Sequence, residues 1–494
     1  MGTHSSNQAS PDCTPTEETP LLARRTTPPP ASTAQERLRV LRLACCCVYY
    51  VSTLTSAFVV RVYDSHRQSE EQLDLLTSRF MIAVAAFGGP VGGLLAGWVS
   101  KRRGRRSALL ISLFLTISGS LSMALVDPSF STLIQFSRGL QSIAVGSTIY
   151  LAISLVSEVS CPEKLGSGIG SLYASLSLGQ AVSAPLYILL LSLLQASWRN
   201  LQYIITATGS ILFCFVLIYL PRTKRQHRTN DDALDGAGGD ATTNPPSPPS
   251  QSSSELTGFS LLLKTPRLRA VSTAVVPAVL SFWIHVAMFS YNLDAGFLQK
   301  PKKTRPFWLP LFAEFVLAYG LGGFVGALWS GHASDRYKAR HASTLPEAVL
   351  RVCYPGIAFV VPVLLSFATF STYAAFLTSL PQTLEFEAMG VAYAFFGGAG
   401  AYAVITPSIV YMASSVPASR VTGLVAANDL YQILATSLLC VTLVPFALLG
   451  QRGMLLWAIL SICSCWLGFS KLRKVVRAAE EELSATSDTG EVVR

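Results

Sequence analysis

The amino-acid sequence predicts an all-α membrane protein with twelve transmembrane helices arranged as two six-helix bundles, and three observations carry that prediction. Of 494 residues, 50% are hydrophobic and 13% charged, with a mean hydropathy of +0.44; a typical soluble domain carries roughly 25% charged residues. The apolar residues are gathered into long runs, each near the ~20 residues that cross a bilayer as helix, separated by short polar loops. The runs also divide evenly about a polar middle segment. A membrane barrel would instead show short alternating segments.

Taken in order, residues 1–38 are rich in Ser, Thr and Pro and hold too little apolar surface to offset the entropy of ordering, so they are expected to form a disordered cytosolic tail. The first bundle, 39–220, contains apolar runs near 43–60, 78–99, 107–126, 131–155, 166–192 and 200–220. Residues 221–255, with RTKRQHRTNDD followed by NPPSPPSQSSS, read as a disordered cytosolic linker. The second bundle, 256–470, has runs near 270–292, 308–331, 350–378, 389–412, 424–449 and 453–470, and 471–494 is expected to be a cytosolic tail. No basic-then-apolar signal opens the chain, so the first span is expected to act as the membrane signal.

The net charge of +10 comes from clusters at the ends of apolar runs. KRRGRR, RTKRQHR, DRYKAR and KLRKVVR fall on one side of a twelve-span topology, which the positive-inside rule makes cytosolic. QKPKKTRP, between the seventh and eighth spans, is the exception. Charge that serves topology gives no reason to expect nucleic acid. Most of the ten cysteines lie within apolar runs, without metal-ligand spacing or a disulfide framework. No phosphate-cradling loop, metal cluster or nucleophile elbow is present, so neither an enzyme nor a cofactor is expected.

The halves share a decapeptide after their second helix. The first runs from Gly97 through Lys101, Arg102, Arg103 and Gly104 to Arg105 and Arg106; the second runs from Gly331 through Asp335 and Arg336 to Arg340. Both resemble the signature loop of the major facilitator superfamily, Gly-x-x-x-Asp-Arg-x-Gly-Arg-Arg, and the resemblance extends over nearly all of the chain outside tails and linker. LPEAVLRVCYPGIAFVVP and VTGLVAANDLYQILATSLL look like fungal twelve-span drug:proton antiporters. SRGLQSIAVGS and SWRNLQYI fit that group or the related organic-cation and sugar porters. The resemblance implies the major facilitator fold. It also implies gating by Gly97, Gly104, Arg105, Arg106, Gly331, Asp335 and Arg336, with Asp335 latching cytoplasmic helix ends. Lys101 stands where the first copy should carry Asp, so the latch is expected to be asymmetric; a plain topogenic cluster is the alternative for KRRGRR.

Arg138 and Gln141 in the fourth span resemble the family's Arg-x-x-Gln-Gly element, which implies a coupling or substrate-binding role. An arginine snorkelling into headgroups is the alternative. In the fifth span Gly170 and Gly179 match the antiporter element, whereas Pro185 falls one position late; tight helix packing explains all three equally well. A proton-coupled carrier needs a titratable group at membrane depth, and the candidates are Glu314, Asp429 and His285. For Glu314 a solvated position near a helix start is the alternative, and for Asp429 a structural pair with Asn428. Glu158 is a candidate partner for Arg105 or Arg106, or a solvated loop acid.

The expected function is secondary active transport of a small organic molecule by alternating access, as proton-coupled export of drugs or metabolites. Substrate is expected near mid-membrane among Tyr150, Tyr173, Gln180, Tyr291 and Tyr319. An uncoupled or importing carrier for sugars or organic ions, and a receptor-like protein without transport, are the alternatives. The expected partners are the substrate, protons and lipid, with a monomer as the working unit. The plasma membrane is the expected location; the dileucine-like EETPLL suggests a vacuolar or endolysosomal one instead.

Overall fold

The computed structural model describes residues 34–68, 75–127, 130–194, 198–221, 258–279, 308–340, 346–358, 360, 384–416, 418–448 and 450–488. Among them every regular element is helical and none is a strand. The first half comprises α1 (Ala34–Gln68), α2 (Leu75–Arg103), α3 (Arg105–Leu125), α4 (Ser131–Val159), α5 (Leu165–Leu194) and α6 (Trp198–Tyr219). The second comprises the short α7 (Gly258–Lys264), α8 (266–279), α9 (Trp308–Arg340), a 3-10 turn Pro346–Val352 that runs on as helix over 353–358, α10 (Leu384–Ser415), α11 (Ala418–Leu448) and α12 (Gly450–Asp488); α8 and α9 are the first and second spans of this half, α10 and α11 the fourth and fifth.

Two boundaries differ from the sequence expectation. Helix α1 begins at Ala34, inside the tail assigned to 1–38, and α12 runs on to Asp488 through the tail assigned to 471–494. Runs of apolar residues mark only the part of a helix that meets lipid; RKVVRAAEEEL continues the helical period on a polar face and so escapes that count.

Among the described residues, four stretches are long and apolar enough to cross a membrane by length and composition: Arg105–Leu125, Thr132–Val159, Arg199–Tyr219 and Ala394–Ser415. Their outer faces show why water is the wrong solvent. Phe114 and Leu125 on α3 and Ile211 and Ile218 on α6 are 59–70% exposed, which in water would be a costly apolar surface and in lipid is the expected one. Hydroxyls inside these helices bond back to their own turns: Thr116 donates to the Ser112 carbonyl at 3.0 Å and Ser120 to the Thr116 carbonyl at 2.9 Å.

The internal repeat visible in the decapeptides recurs in the packing. Helix α2 packs on α4 within its bundle and on α11 across the divide, while α9 packs on α10 within its bundle and on α5 across it. One buried cluster therefore joins the halves, from Val48 on α1 through Ile153 and Leu172 to Val404 and Val425, and a second, around Leu109, Leu113, Leu151 and Ile205, is confined to the first bundle.

Candidate functional site

Two groups of residues lie where the halves meet. The first is at the end bearing the decapeptides. Helix α5 starts at Leu165, and its first free backbone N–H groups need acceptors. Asp335 on α9 supplies them: the Gly166 N–H donates to its Oδ1 and the Ser167 N–H to its Oδ2, both at 2.7 Å. A carboxylate there also meets the positive end of the α5 dipole. Lys338, one turn on, donates to the Pro162 carbonyl at 3.2 Å.

This junction needs backbones in near contact. A Cβ on Gly331 would lie 2.6 Å from the Gly166 carbonyl oxygen and 2.9 Å from the Gly170 Cα, so α9 and α5 meet glycine against glycine. Farther along α5, a Cβ on Gly179 would fall 1.8 Å from the Ser52 hydroxyl of α1. Pro185 sits inside α5 without ending it.

The first decapeptide is built differently. Lys101 is exposed, and a cation there cannot accept from helix N–H groups. Gly97 keeps ordinary contact distances, with Gly423 the nearest residue at 3.7 Å. Gly104 adopts φ +84° at the α2–α3 turn, a conformation that favours glycine. Beyond it, the buried Arg105 pairs with Glu158 at 2.5 Å and donates to the Ser154 carbonyl at 2.8 Å, and Arg106 donates to the Leu217 carbonyl. These arginines brace α3 against α4 and α6 within one bundle. Arg336 is exposed. The arrangement at this end is accordingly asymmetric.

The second group is deep in the interior. Tyr150 on α4 donates a 2.6 Å hydrogen bond to Asp429 Oδ2 on α11. Asn428 Nδ2 is 3.5 Å from the other carboxylate oxygen, and Gln432 donates to Asn428 at 3.1 Å. On the other side Tyr402 of α10 donates to Gln180 Oε1 of α5 at 3.2 Å and meets the Tyr173 ring edge-on, centroids 6.1 Å apart. The two bonds join the same spans but not the same positions: a tyrosine on the fourth span of each half reaches a polar side chain on the fifth span of the other, yet the glycine beside Tyr150 is four residues before Gly97 and the one beside Tyr402 eight before Gly331. Room for each ring comes from a glycine of the neighbouring second helix. A Cβ on Gly93 would strike Tyr150, and one on Gly323 would strike Tyr402.

Tyr150, Tyr173 and Tyr319 are buried, and Gln180 is half-buried. Tyr291 and His285 lie outside the described residues, as does the side chain of Glu314. Arg138 is 5% exposed and turned into the first bundle rather than toward headgroups. It donates to the Leu54 carbonyl of α1 at 3.3 Å and to Gln141 Oε1 at 3.1 Å. Gln141 donates onward to Ser120 at 2.8 Å and to Gln202 at 3.4 Å. The arginine thus belongs to a polar thread through α1, α4, α3 and α6, apart from Asp429.

The cross-half role of Tyr402, the thread through Gln202 and the Arg267–Glu347 pair at 3.5 Å were missed by sequence reasoning. Tyr402 carries one weak signal, since like Tyr150 it lies on the fourth span of its half and packs on a glycine-rich second span. Gln202 and the Arg267–Glu347 pair carry none.

Comparison with known proteins supplies the wider frame. Residues 41–438 match the family model described as Major Facilitator Superfamily. Over 104 residues the chain is 36% identical to the galactose-proton symporter of Escherichia coli strain K12, covering 21% of this chain and 22% of that protein. Over 170 residues it is 28% identical to the multidrug transporter AQR1 of Candida glabrata, covering 33% of this chain and 27% of that one. The chain therefore spans about a quarter of the length of these relatives. Among solved structures, the E. coli fucose:proton symporter FucP superposes with a TM-score of 0.59 at 13% identity, covering 89% of this chain and 98% of that one. The proton:xylose symporter XylE gives 0.61 at 12% identity, covering 89% and 96%. At such identities these structures show a shared fold.

Proposed function

The chain belongs to the major facilitator superfamily and is a multi-pass membrane protein, and on that premise we propose that it moves small organic molecules across the bilayer in exchange for protons, exporting drug-like compounds or metabolites by alternating access. The observation that carries this reading is the Tyr150–Asp429 hydrogen bond. It places an ionisable carboxyl at a junction that must open when the bundles rock, with a neutral hydrogen-bond donor from the opposite half.

The mechanism follows from what each state offers the carboxylate. With α4 and α11 together, Asp429 holds the Tyr150 hydroxyl and the Asn428 amide. When the halves part, it loses the tyrosine and must take up either water or a proton. A proton therefore biases the two arrangements differently, which is the thermodynamic requirement for coupling. Asp335 helps hold the halves together at the decapeptide-bearing end by capping α5. Substrate selection belongs in this reading to the aromatic and amide groups around Tyr173, Gln180 and Tyr402.

The test is flux in proteoliposomes with and without an imposed pH gradient, using a panel of lipophilic cations, organic acids and hexoses. Gradient-driven accumulation of a drug-like compound, lost in Asp429→Asn, supports the reading; accumulation unaltered in that variant removes Asp429 from it. A second reading, import of a sugar, is favoured by the 36% identity to the galactose-proton symporter segment. Uptake of hexose down the proton gradient, with no movement of drug-like compounds, would establish that alternative.

A further inference from the structure

On the outer side of α9, α12 and the 3-10 turn, two adjoining clefts of about 620 and 460 Å³ share Trp329, Ala333 and Tyr337. The larger is lined further by Arg351, Arg473 and Arg477, the smaller by His332, Arg336 and Arg340. Arg351 pairs with Glu480, the one acid lining the clefts. Among the described residues no carboxylate forms a salt bridge with Arg336, Arg340, Arg473 or Arg477. Four guanidinium groups, those of Arg336, Arg340, Arg473 and Arg477, therefore line the two adjoining clefts without a salt-bridged carboxylate among the described residues.

The helices themselves place this hollow at the membrane surface. The exposed face of α9 is apolar at Leu321 and Val325, reaches Trp329, and turns basic at Arg336 and Arg340. That of α12 is apolar at Leu460, Trp466 and Leu467 and turns basic at Lys471, Arg473, Lys474 and Arg477. Exposed tryptophan followed by a change from apolar to basic marks the headgroup level. The corresponding position of the other half is built otherwise, because Arg102 there lies 4.1 Å over the Trp98 ring. In the second half His332 stands in place of that tryptophan, and Arg336 lines the smaller cleft.

We propose that these clefts bind the phosphorylated headgroup of an anionic phospholipid. Arginine forks match phosphate oxygens in pairs, basic pockets between spans at this depth suit charged headgroups, and the apolar faces of α9 and α12 below the clefts receive the acyl chains. Such a lipid ties α12 to α9, the helix that carries Asp335. The site stands on geometry and charge independent of any transport assignment.

The experiment reconstitutes the full chain in phosphatidylcholine nanodiscs carrying graded amounts of a photoactivatable phosphatidylinositol phosphate, and maps the crosslinks by peptide mass spectrometry. Labelling is expected on peptides spanning 329–340 and 473–480. The triple variant R340Q/R473Q/R477Q should raise the half-saturating lipid content roughly a hundredfold, from about fivefold per basic residue, while R340K/R473K/R477K retains most binding and reports an intact fold. The control K101Q/R102Q should leave labelling unchanged. Undiminished labelling in the glutamine variant, or an equal loss in the control, overturns the proposal. Full displacement by millimolar inorganic phosphate also overturns it, in favour of a soluble anion; failure of phosphate to compete supports the lipid.

Discussion

Tyr150 and Asp429, 279 residues apart in sequence, are joined by a 2.6 Å hydrogen bond between opposite halves of the molecule. A bond between halves exists only in arrangements that bring α4 and α11 together, so its two partners should be energetically coupled in transport. In a double-mutant cycle with Tyr150→Phe and Asp429→Asn, the second substitution should add almost nothing to the effect of the first on gradient-driven flux. Independent, additive losses would show that the pair does not act as a unit.

Asp335→Ala removes both acceptors at the α5 N-terminus and should cost the closed junction about 1–2 kcal/mol, a shift of roughly 5–30-fold between open and closed forms. Cysteine labelling at Gly166→Cys or Ser167→Cys is unsuitable because it disturbs the cap itself; a cysteine at Ser171 on the next turn can report the opening. Faster labelling in Asp335→Ala is the expected result, and an unchanged rate would refute a latch at this position.

Gly331→Ala places a methyl group against the α5 backbone and should destabilise by about 1–3 kcal/mol through overpacking. Gly97→Ala, whose Cβ meets nothing closer than 3.7 Å, should be nearly neutral. Thermal unfolding in detergent checks both, and equal melting shifts would contradict the difference in packing between the two copies.

Arg138→Lys keeps the charge but shortens the side chain and loses the Nη1 group that donates to both Leu54 and Gln141. A loss of about 1–3 kcal/mol in stability is expected, the typical effect of leaving buried acceptors unpaired. If thermal unfolding shows Arg138→Lys as stable as the native chain, the polar thread through α1, α4, α3 and α6 contributes little.

The sequence made the helices legible because burial in lipid imposes a strong length and composition constraint, and the repeat was legible because the two decapeptides keep their spacing. Asp335, and Arg138 with Gln141, could be singled out through resemblance to the family's motifs. Tyr150 appeared among candidate lining residues, but nothing local says that its hydroxyl meets Asp429 rather than substrate; that depends on how α4 crosses α11. The Asn428 neighbour was legible, and the structure shows it beside the Asp429 carboxylate together with the tyrosine, so neither partner excludes the other. Polar helix extensions at Ala34 and Asp488 were hidden because their cohesion comes from helical periodicity rather than greasiness.

Of the two tyrosine bonds between the halves, Tyr150–Asp429 ends on an acid and Tyr402–Gln180 on an amide. Under the proposed exchange, a turnstile furnished with one acid and one amide would tally a single hydrogen ion per revolution at these bonds. Exchange of an uncharged cargo on those terms carries one net positive charge inward each cycle. Its drive would then come from membrane voltage as well as from the acidity difference, and clamping the voltage at zero would slow it even with the pH step held constant.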